Sequence, residues 1–249
     1  MTRLSVNVNK VATLRNSRGG REPSVLEAVE VCIGAGVRGI TVHPRADQRH
    51  IRPGDVLAIA EALADRRGSI EFNIEGDPRP ELLDMVMRTR PHQCTLVPVL
   101  PGEITSQAGW PAETSQAEMG AIVRRLRHAG VRVSMFVDPE EAPIRWAAAL
   151  GADRIELYTE PYARAFEQGP SAAMASFERY AAASRLAHEL GLGVNAGHDL
   201  DLANLVLFGT LPHLDEVSIG HAIISRALFV GLDRVCREYL ALVEGGPAD

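Results

Sequence analysis

Eight times along the chain, a short run of apolar or alternating apolar and polar residues gives way to a stretch with the spacing of an amphipathic helix. Residues 4–9 alternate with the period of a strand. Residues 24–35 carry Val25, Ala28, Val29, Cys32 and Ile33 at helical intervals, with Pro23 ahead and Gly34 and Gly36 closing the segment. The same reading predicts strands over 38–43, 69–75, 93–97, 131–137, 154–158, 192–196 and 215–219. It predicts helices over 53–66, 79–89, 113–129, 139–150, 171–190, 201–208 and 221–243. Residues 161–170 read as a loop or short helical turn, and 101–114 as the longest irregular stretch before a helix.

The junctions repeat as well. Gly36, Gly130, Gly151 and Gly191 each lie just past a predicted helix end and feed a β-branched or aliphatic run. That is the turn expected of an αβ unit, where glycine takes the left-handed conformation at low cost. Eight such units in 249 residues predict a single (β/α)8 barrel domain over residues 1–249. An open doubly wound sheet is the rival architecture, but its glycine-rich first turn is missing from Asn9-Lys10-Val11-Ala12.

Composition narrows the classes. Apolar residues make up 46% of the chain, enough for a sizeable core, and the net charge of −6 argues against non-specific nucleic-acid binding. No run of about 18 apolar residues offers a membrane span, and no long apolar stretch follows the first positive charges. Cys32, Cys94 and Cys236 form an odd set without a CxxC pair, so they read as buried thiols in a reducing compartment. A cytoplasmic protein is expected.

In a barrel, chemistry gathers at the carboxyl ends of the strands. The segment 40–50 is an apolar run that stops at His43 and is followed by Arg45, Arg49 and His50. One imidazole beside fixed positive charge suits a phosphorylated small molecule, whereas a solvated basic turn is the plainer alternative. Glu71 and Glu156 lie within otherwise apolar strands. A carboxylate there either faces a polar mouth or belongs to a structural ion pair. With His43 and His198, they make a candidate acid–base set that calls for no metal. A metal is the competing explanation of a His/Glu cluster, but HExxH and related helical spacings are absent. Asn195-Ala196-Gly197-His198 and Ser218-Ile219-Gly220-His221 are near-duplicates after the seventh and eighth strands, where barrels commonly cradle phosphate. Arg18 sits in a flexible first loop and could close over a second anion.

These segments together resemble the pyridoxine 5′-phosphate synthase family. The resemblance rests on residues 6–15 with Arg18-Gly19, 39–43 with Arg45 and 49–51, Leu96-Val97-Pro98, 133–138, Ile155-Glu156-Leu157 with Tyr162-Ala163, 194–198 and 219–224, in the family's order from end to end. It implies a homo-oligomeric (β/α)8 barrel, typically an octamer. Such a barrel condenses 3-amino-2-oxopropyl phosphate with 1-deoxy-D-xylulose 5-phosphate without a cofactor, releasing phosphate and water. By position, His43 and Glu71 would accept protons, His198 would donate one, and Glu156 would stabilise charge during ring closure. Asn7, Arg18, Gly220 and His221, with Gly197 or its neighbour, would hold the amino-ketone phosphate. Arg45 and His50, helped by Thr105 or its loop, would hold the pentulose phosphate. Four departures make the mouth more positive than the family pattern: Asn9 for Asp, Lys10 for His, Ala46 for Glu and Val99 for Glu. Glu160 runs the other way. Asn9 and Lys10 fall where the family contacts the pentulose, so a divergent relative using a more anionic carbonyl partner is an alternative. A non-catalytic phosphate-binding barrel and a metal-dependent aldolase are the readings from other classes.

Overall fold

The computed structural model describes residues 2–99 and 106–244. Eight parallel strands close into a barrel in sequence order, β1 pairing with both β2 and β8. They are β1 (Arg3–Asn7), β2 (Gly39–Val42), β3 (Glu71–Gly76), β4 (Gln93–Leu96), β5 (Arg132–Val137), β6 (Arg154–Tyr158), β7 (Gly193–Gly197) and β8 (Leu214–Ile219). The helices are α1 (Asn9–Asn16), α2 (Val25–Gly34), α3 (Pro53–Ala62), α4 (Pro80–Thr89), α5 (Gln116–His128), α6 (Glu141–Ala149), α7 (Glu160–Glu167), α8 (Pro170–Glu189), α9 (Leu205–Phe208), α10 (His221–Val230) and α11 (Leu232–Glu244).

Local chemistry explains many of the boundaries. Ser24 Oγ accepts the Glu27 amide at the start of α2, and Asp55 Oδ2 accepts the Arg52 amide at the start of α3. Prolines open α3, α4 and α8, where the missing N–H costs nothing. The four junction glycines all have positive φ, from 76° at Gly151 to 105° at Gly36.

Three expectations change. The first loop contains a helix, α1, which begins without a side-chain cap bond and has only a weak apolar face, so its pattern was hidden. The turn over 161–170 is largely the helix α7. The last predicted helix is two, α10 and α11, broken at Gly231 with φ 90°.

The strands alternate more strictly than apolar runs. Leu4, Val6, Ile40, Val42, Phe72, Ile74, Val133, Met135, Ile155, Leu157, Val217 and Ile219 belong to the main apolar core. That side of each strand faces the surrounding helices, as the period of two requires. The intervening residues meet across the barrel axis: Thr95 on β4 bonds Glu156 on β6 at 3.3 Å, and Asn7 on β1 bonds Glu75 on β3 at 3.3 Å. Non-adjacent strands can make such contacts only through the lumen. Ser5, Thr41, Asn73 and Thr95 continue this inner ladder at 2.7, 3.3 and 3.1 Å. The lumen is therefore filled by hydrogen-bonded polar side chains, where most barrels of this class carry branched aliphatic ones.

Candidate active site

At the carboxyl end of the barrel lies a cavity of about 440 Å³. Its walls include Asn7, Asn9, Lys10, His43, Arg45, Arg49, His50, Glu75, Glu156, His198, Gly220 and His221. Ten of these twelve were singled out from the sequence as site residues; Arg49 and Glu75 were not.

Asn7 ends β1 and organises two directions at once. Its Oδ1 accepts the Asn9 amide at 3.0 Å, turning the chain into α1, and its Nδ2 donates to Glu75 Oε2. Asn9 Oδ1 accepts the His43 amide at 2.9 Å, so this side chain fixes the end of β2. Helix α1 also holds the loop after β2, because Asn16 Nδ2 donates to the His50 carbonyl at 2.8 Å. Buried Arg15 bonds the same carbonyl and is paired with Asp55 at 2.5 Å. From the other side, Arg79 donates to the Pro44 carbonyl and pairs with Asp77, both at 2.5 Å. The β2 loop is clamped by both neighbouring loops.

His43 is buried, with Nδ1 3.9 Å from Glu75 Oε2. Its Nε2 has no hydrogen-bond partner among the described residues. Burial, and then the charges of His50, Arg45 and Arg79, depress its pKa to about 3. The imidazole is therefore neutral near pH 7. His50 is brought down to about 4 by burial, Arg45 and Lys10, and its Nδ1 accepts the Ile51 amide at 2.9 Å. In its neutral form the His50 proton then sits on Nε2.

The carboxyls are perturbed in the opposite sense. Glu156 is pushed up to about 8 by burial and by Glu216, against a lowering bond from Thr95. Glu75 is raised well above the ordinary range by burial and by Glu156 and Glu216. Gly197 gives Glu156 its place: a Cβ on Gly197 would lie 2.5 Å from Glu156 Oε1. Gly220 similarly allows β8 to approach β1, since a Cβ there would lie 2.8 Å from the Asn7 carbonyl oxygen. Beyond Gly197, His198 and Asp199 take left-handed backbone with φ 84° and 57°. His198 Nδ1 lies 3.1 Å from Asp199 Oδ2, and its ring meets the Tyr158 ring edge-on at 5.2 Å. Thr159 Oγ1 donates to the Gly197 and His198 carbonyls, tying this strained turn to β6. His221 occupies the first turn of α10, whose open N–H groups line the cavity mouth beside Gly220.

The expectation for Glu71 is corrected. It is the first residue of β3, at the amino end of the barrel, where it pairs with Arg3 at 3.0 Å and with Arg132. It is the structural ion pair that the sequence also allowed. Glu75, four residues later on the same inward face, is the carboxyl at the mouth. Both glutamates have the right parity; position along the strand separates them, and the carboxyl-end rule points to Glu75. Arg18 is exposed beyond α1 and is not among the residues lining this cavity. Gly197 shapes the wall through Glu156 and does not line the cavity itself. Thr105 lies outside the described residues. Among the departures, Lys10 lines the cavity, Ala46 is exposed, and Glu160 pairs with Arg164 at 2.9 Å. Among the described residues, no group of three or more His, Cys, Asp or Glu side chains is placed to hold a metal.

A closed parallel barrel that gathers proton-transfer groups at its carboxyl end belongs to the class of (β/α)8 enzymes. The comparisons with known proteins carry this further. The chain belongs to the PdxJ family: the family profile, described as pyridoxal phosphate biosynthesis protein PdxJ, matches residues 4–245. A pyridoxine 5′-phosphate synthase of Bacteroides fragilis is 51% identical over 240 residues, covering 96% of this chain and 98% of the relative. One from Christiangramia forsetii is 48% identical over 245 residues, covering 98% and 100%. Neither relative supports the phosphate-binder, aldolase or altered-substrate readings. Among solved structures, phosphoribosyl anthranilate isomerase from Thermus thermophilus superimposes with a TM-score of 0.60 at 16% identity, covering 98% of this chain and 99% of that one. KGPDC from Streptococcus mutans gives 0.64 at 9%, covering 98% of each. At such identities the likeness is one of fold.

Proposed function

We propose that this barrel is a pyridoxine 5′-phosphate synthase, joining 3-amino-2-oxopropyl phosphate to 1-deoxy-D-xylulose 5-phosphate with release of phosphate and water. The observation that carries the reading is one cavity lined by imidazoles and carboxyls pushed in opposite senses: His43 and His50 below the ordinary histidine range, Glu75 and Glu156 above the ordinary carboxylate range. Imine formation, elimination and ring closure each need a proton taken from one atom and given to another at fixed positions. His43 is the acceptor, its Nε2 without a hydrogen-bond partner among the described residues and its Nδ1 3.9 Å from Glu75 Oε2. His198, just beyond β7, is the donor, and Glu156 on β6 supplies a proton to departing oxygen. The phosphates are placed by Gly220, His221 and the α10 N-terminus on one side, and by Lys10, Arg45, Arg49 and His50 on the other. A dianion bound on that cationic side offsets the charges that depress His43 and so brings the base toward its working range.

The exposed Leu228 and Phe229 at the end of α10, and Leu14 on α1, support a homo-oligomer. Three free thiols support a reducing, cytoplasmic setting. No helix among the described residues is long and apolar enough to cross a membrane. The test is to incubate the purified protein with the two phosphates and measure pyridoxine 5′-phosphate by mass spectrometry. Product is expected; its absence with active-site residues intact overturns the assignment.

A further inference from the structure

Below the cavity, and outside its walls, one more carboxyl shares the lumen. Glu216 on β8 is 2% exposed. Asn195 on β7 stands between it and Glu156, in register with both, and donates to Glu216 Oε1 at 3.4 Å. Three inward carboxyls on β3, β6 and β8, those of Glu75, Glu156 and Glu216, are thus buried within one lumen. Their partners among the described residues compensate charge poorly. Glu156 has the Thr95 hydroxyl, and Glu75 has the Asn7 amide with the His43 ring 3.9 Å away. Glu216 has Asn195 and the far edge of Arg3 at 4.0 Å.

The arginines near Glu216 have closer partners of their own. Arg3 and Arg132 are drawn to Glu71, Arg132 also donates to Gln93, and Arg154 donates to Asn195 Oδ1 at 2.6 Å. A buried carboxylate without a close cation holds its proton, and neighbours of like charge cannot all ionise.

We propose that Glu216 is a positioning residue for the proton inventory of the site, keeping Glu156 in its acid form by competing with it for the little negative charge the lumen accepts. Glu216 is the first of the two to ionise, and its charge makes Glu156 hold its proton until a leaving oxygen takes it. The charged groups facing this pair are Arg3 from β1, Glu71 and Glu75 from β3, Arg132 from β5 and Arg154 from β6, with His43 and His198 above on β2 and after β7. The directions agree: Glu216 is raised to about 7 by burial and then by Glu71, against the lowering charges of Arg154, Arg3 and Arg132, and Glu216 is itself the charge raising Glu156.

The test is an infrared pH titration of the substrate-free protein, following the C=O band of protonated carboxyls. In the unsubstituted protein the band should be present at about pH 6 and weaken in more than one step as the pH is raised to about 9, as expected for interacting acids. Its absence at pH 6 overturns the proposal without any variant. In Glu216→Gln, which keeps the shape and a partner for Asn195, the Glu156 component should titrate roughly one pH unit lower. The component is identified by its loss in Glu156→Gln. An unmoved Glu156 component in a folded Glu216→Gln protein overturns the proposal. The consequence for turnover rests on the acid role given to Glu156 above: the alkaline limb of the kcat/KM profile should move down by the same amount with KM little changed. The spectrum is read without substrate, so failure of the proton count and failure of the synthase assay are separate results.

Discussion

The two ends of the lumen use the same residue types to opposite effect. At the amino end, Glu71 lies between Arg3 and Arg132, so its charge is matched. At the carboxyl end, Glu75 sits on the same face of the same strand with an amide and a neutral imidazole for company. The first glutamate is an ion pair and the second is a proton carrier. What differs is the number of cations within reach, and that is decided by which strands cross above and below the middle of the barrel.

Exchanging each carboxyl for its amide separates the two ends most sharply. Glu75→Gln should cost about 10²–10⁴-fold in kcat. Its thermal stability should stay near that of the parent or above it, because a buried proton-bearing acid is replaced by a neutral isostere. Glu71→Gln should do the reverse, losing about 2 kcal/mol of stability by denaturant titration with kcat preserved in the folded fraction. Equal losses of kcat in the two variants would erase the distinction. Next in size, Gly197→Ala should cost about 10²-fold in kcat, since the new methyl must displace the Glu156 carboxyl. An unchanged kcat would show that Glu156 tolerates the shift.

Stability against pH sharpens the comparison from another side. His43 and His50 have folded pKa values of about 3 and about 4, below the 6.5 of the free side chain. The unfolded chain therefore takes up protons first, and stability falls as pH drops below 6.5. Glu156 and Glu216, raised to about 8 and about 7 from 4.5, act with the opposite sign: stability falls as pH rises above 4.5. The two slopes oppose each other between these values, so the melting temperature should be flattest between 4.5 and 6.5 and decline on either side. Glu156→Gln should weaken the decline with rising pH throughout the range above 4.5 and leave the acid side unchanged. The smallest effect concerns the clamp on the β2 loop: Arg79→Ala should raise KM about 3- to 10-fold with kcat nearly kept, because one charge-assisted bond to the Pro44 carbonyl is lost. A larger fall in kcat than in affinity would place Arg79 closer to the chemistry.

Much of this site was legible before folding. Strand ends announce themselves by period and by the glycine turns that follow helices, and His43, Glu156, His198, Gly220 and His221 could be placed at the mouth on that basis. Helix α1 escaped because its apolar face is weak and its N-cap, Val8, carries no capping group; its structural role lies in Arg15 and Asn16, whose partners are distant in the sequence. Glu71 was chosen for its place inside an apolar run and by the family resemblance, and only the assembled barrel shows it at the amino end of β3 between Arg3 and Arg132. Arg79 and Glu216 gave no local signal at all. Their partners lie 35 positions away at Pro44 and 21 away at Asn195.

The order of hydrophobic and polar positions was sufficient to determine eight strand–helix units, a parallel closed sheet and the end of the barrel at which chemistry collects. Side-chain period and turn stereochemistry act over a few residues and leave their mark in the chain. Which carboxyl carries a charge and which a proton was settled only when distant strands met across the lumen. Burial and the count of nearby cations are properties of the assembled interior and of no single segment.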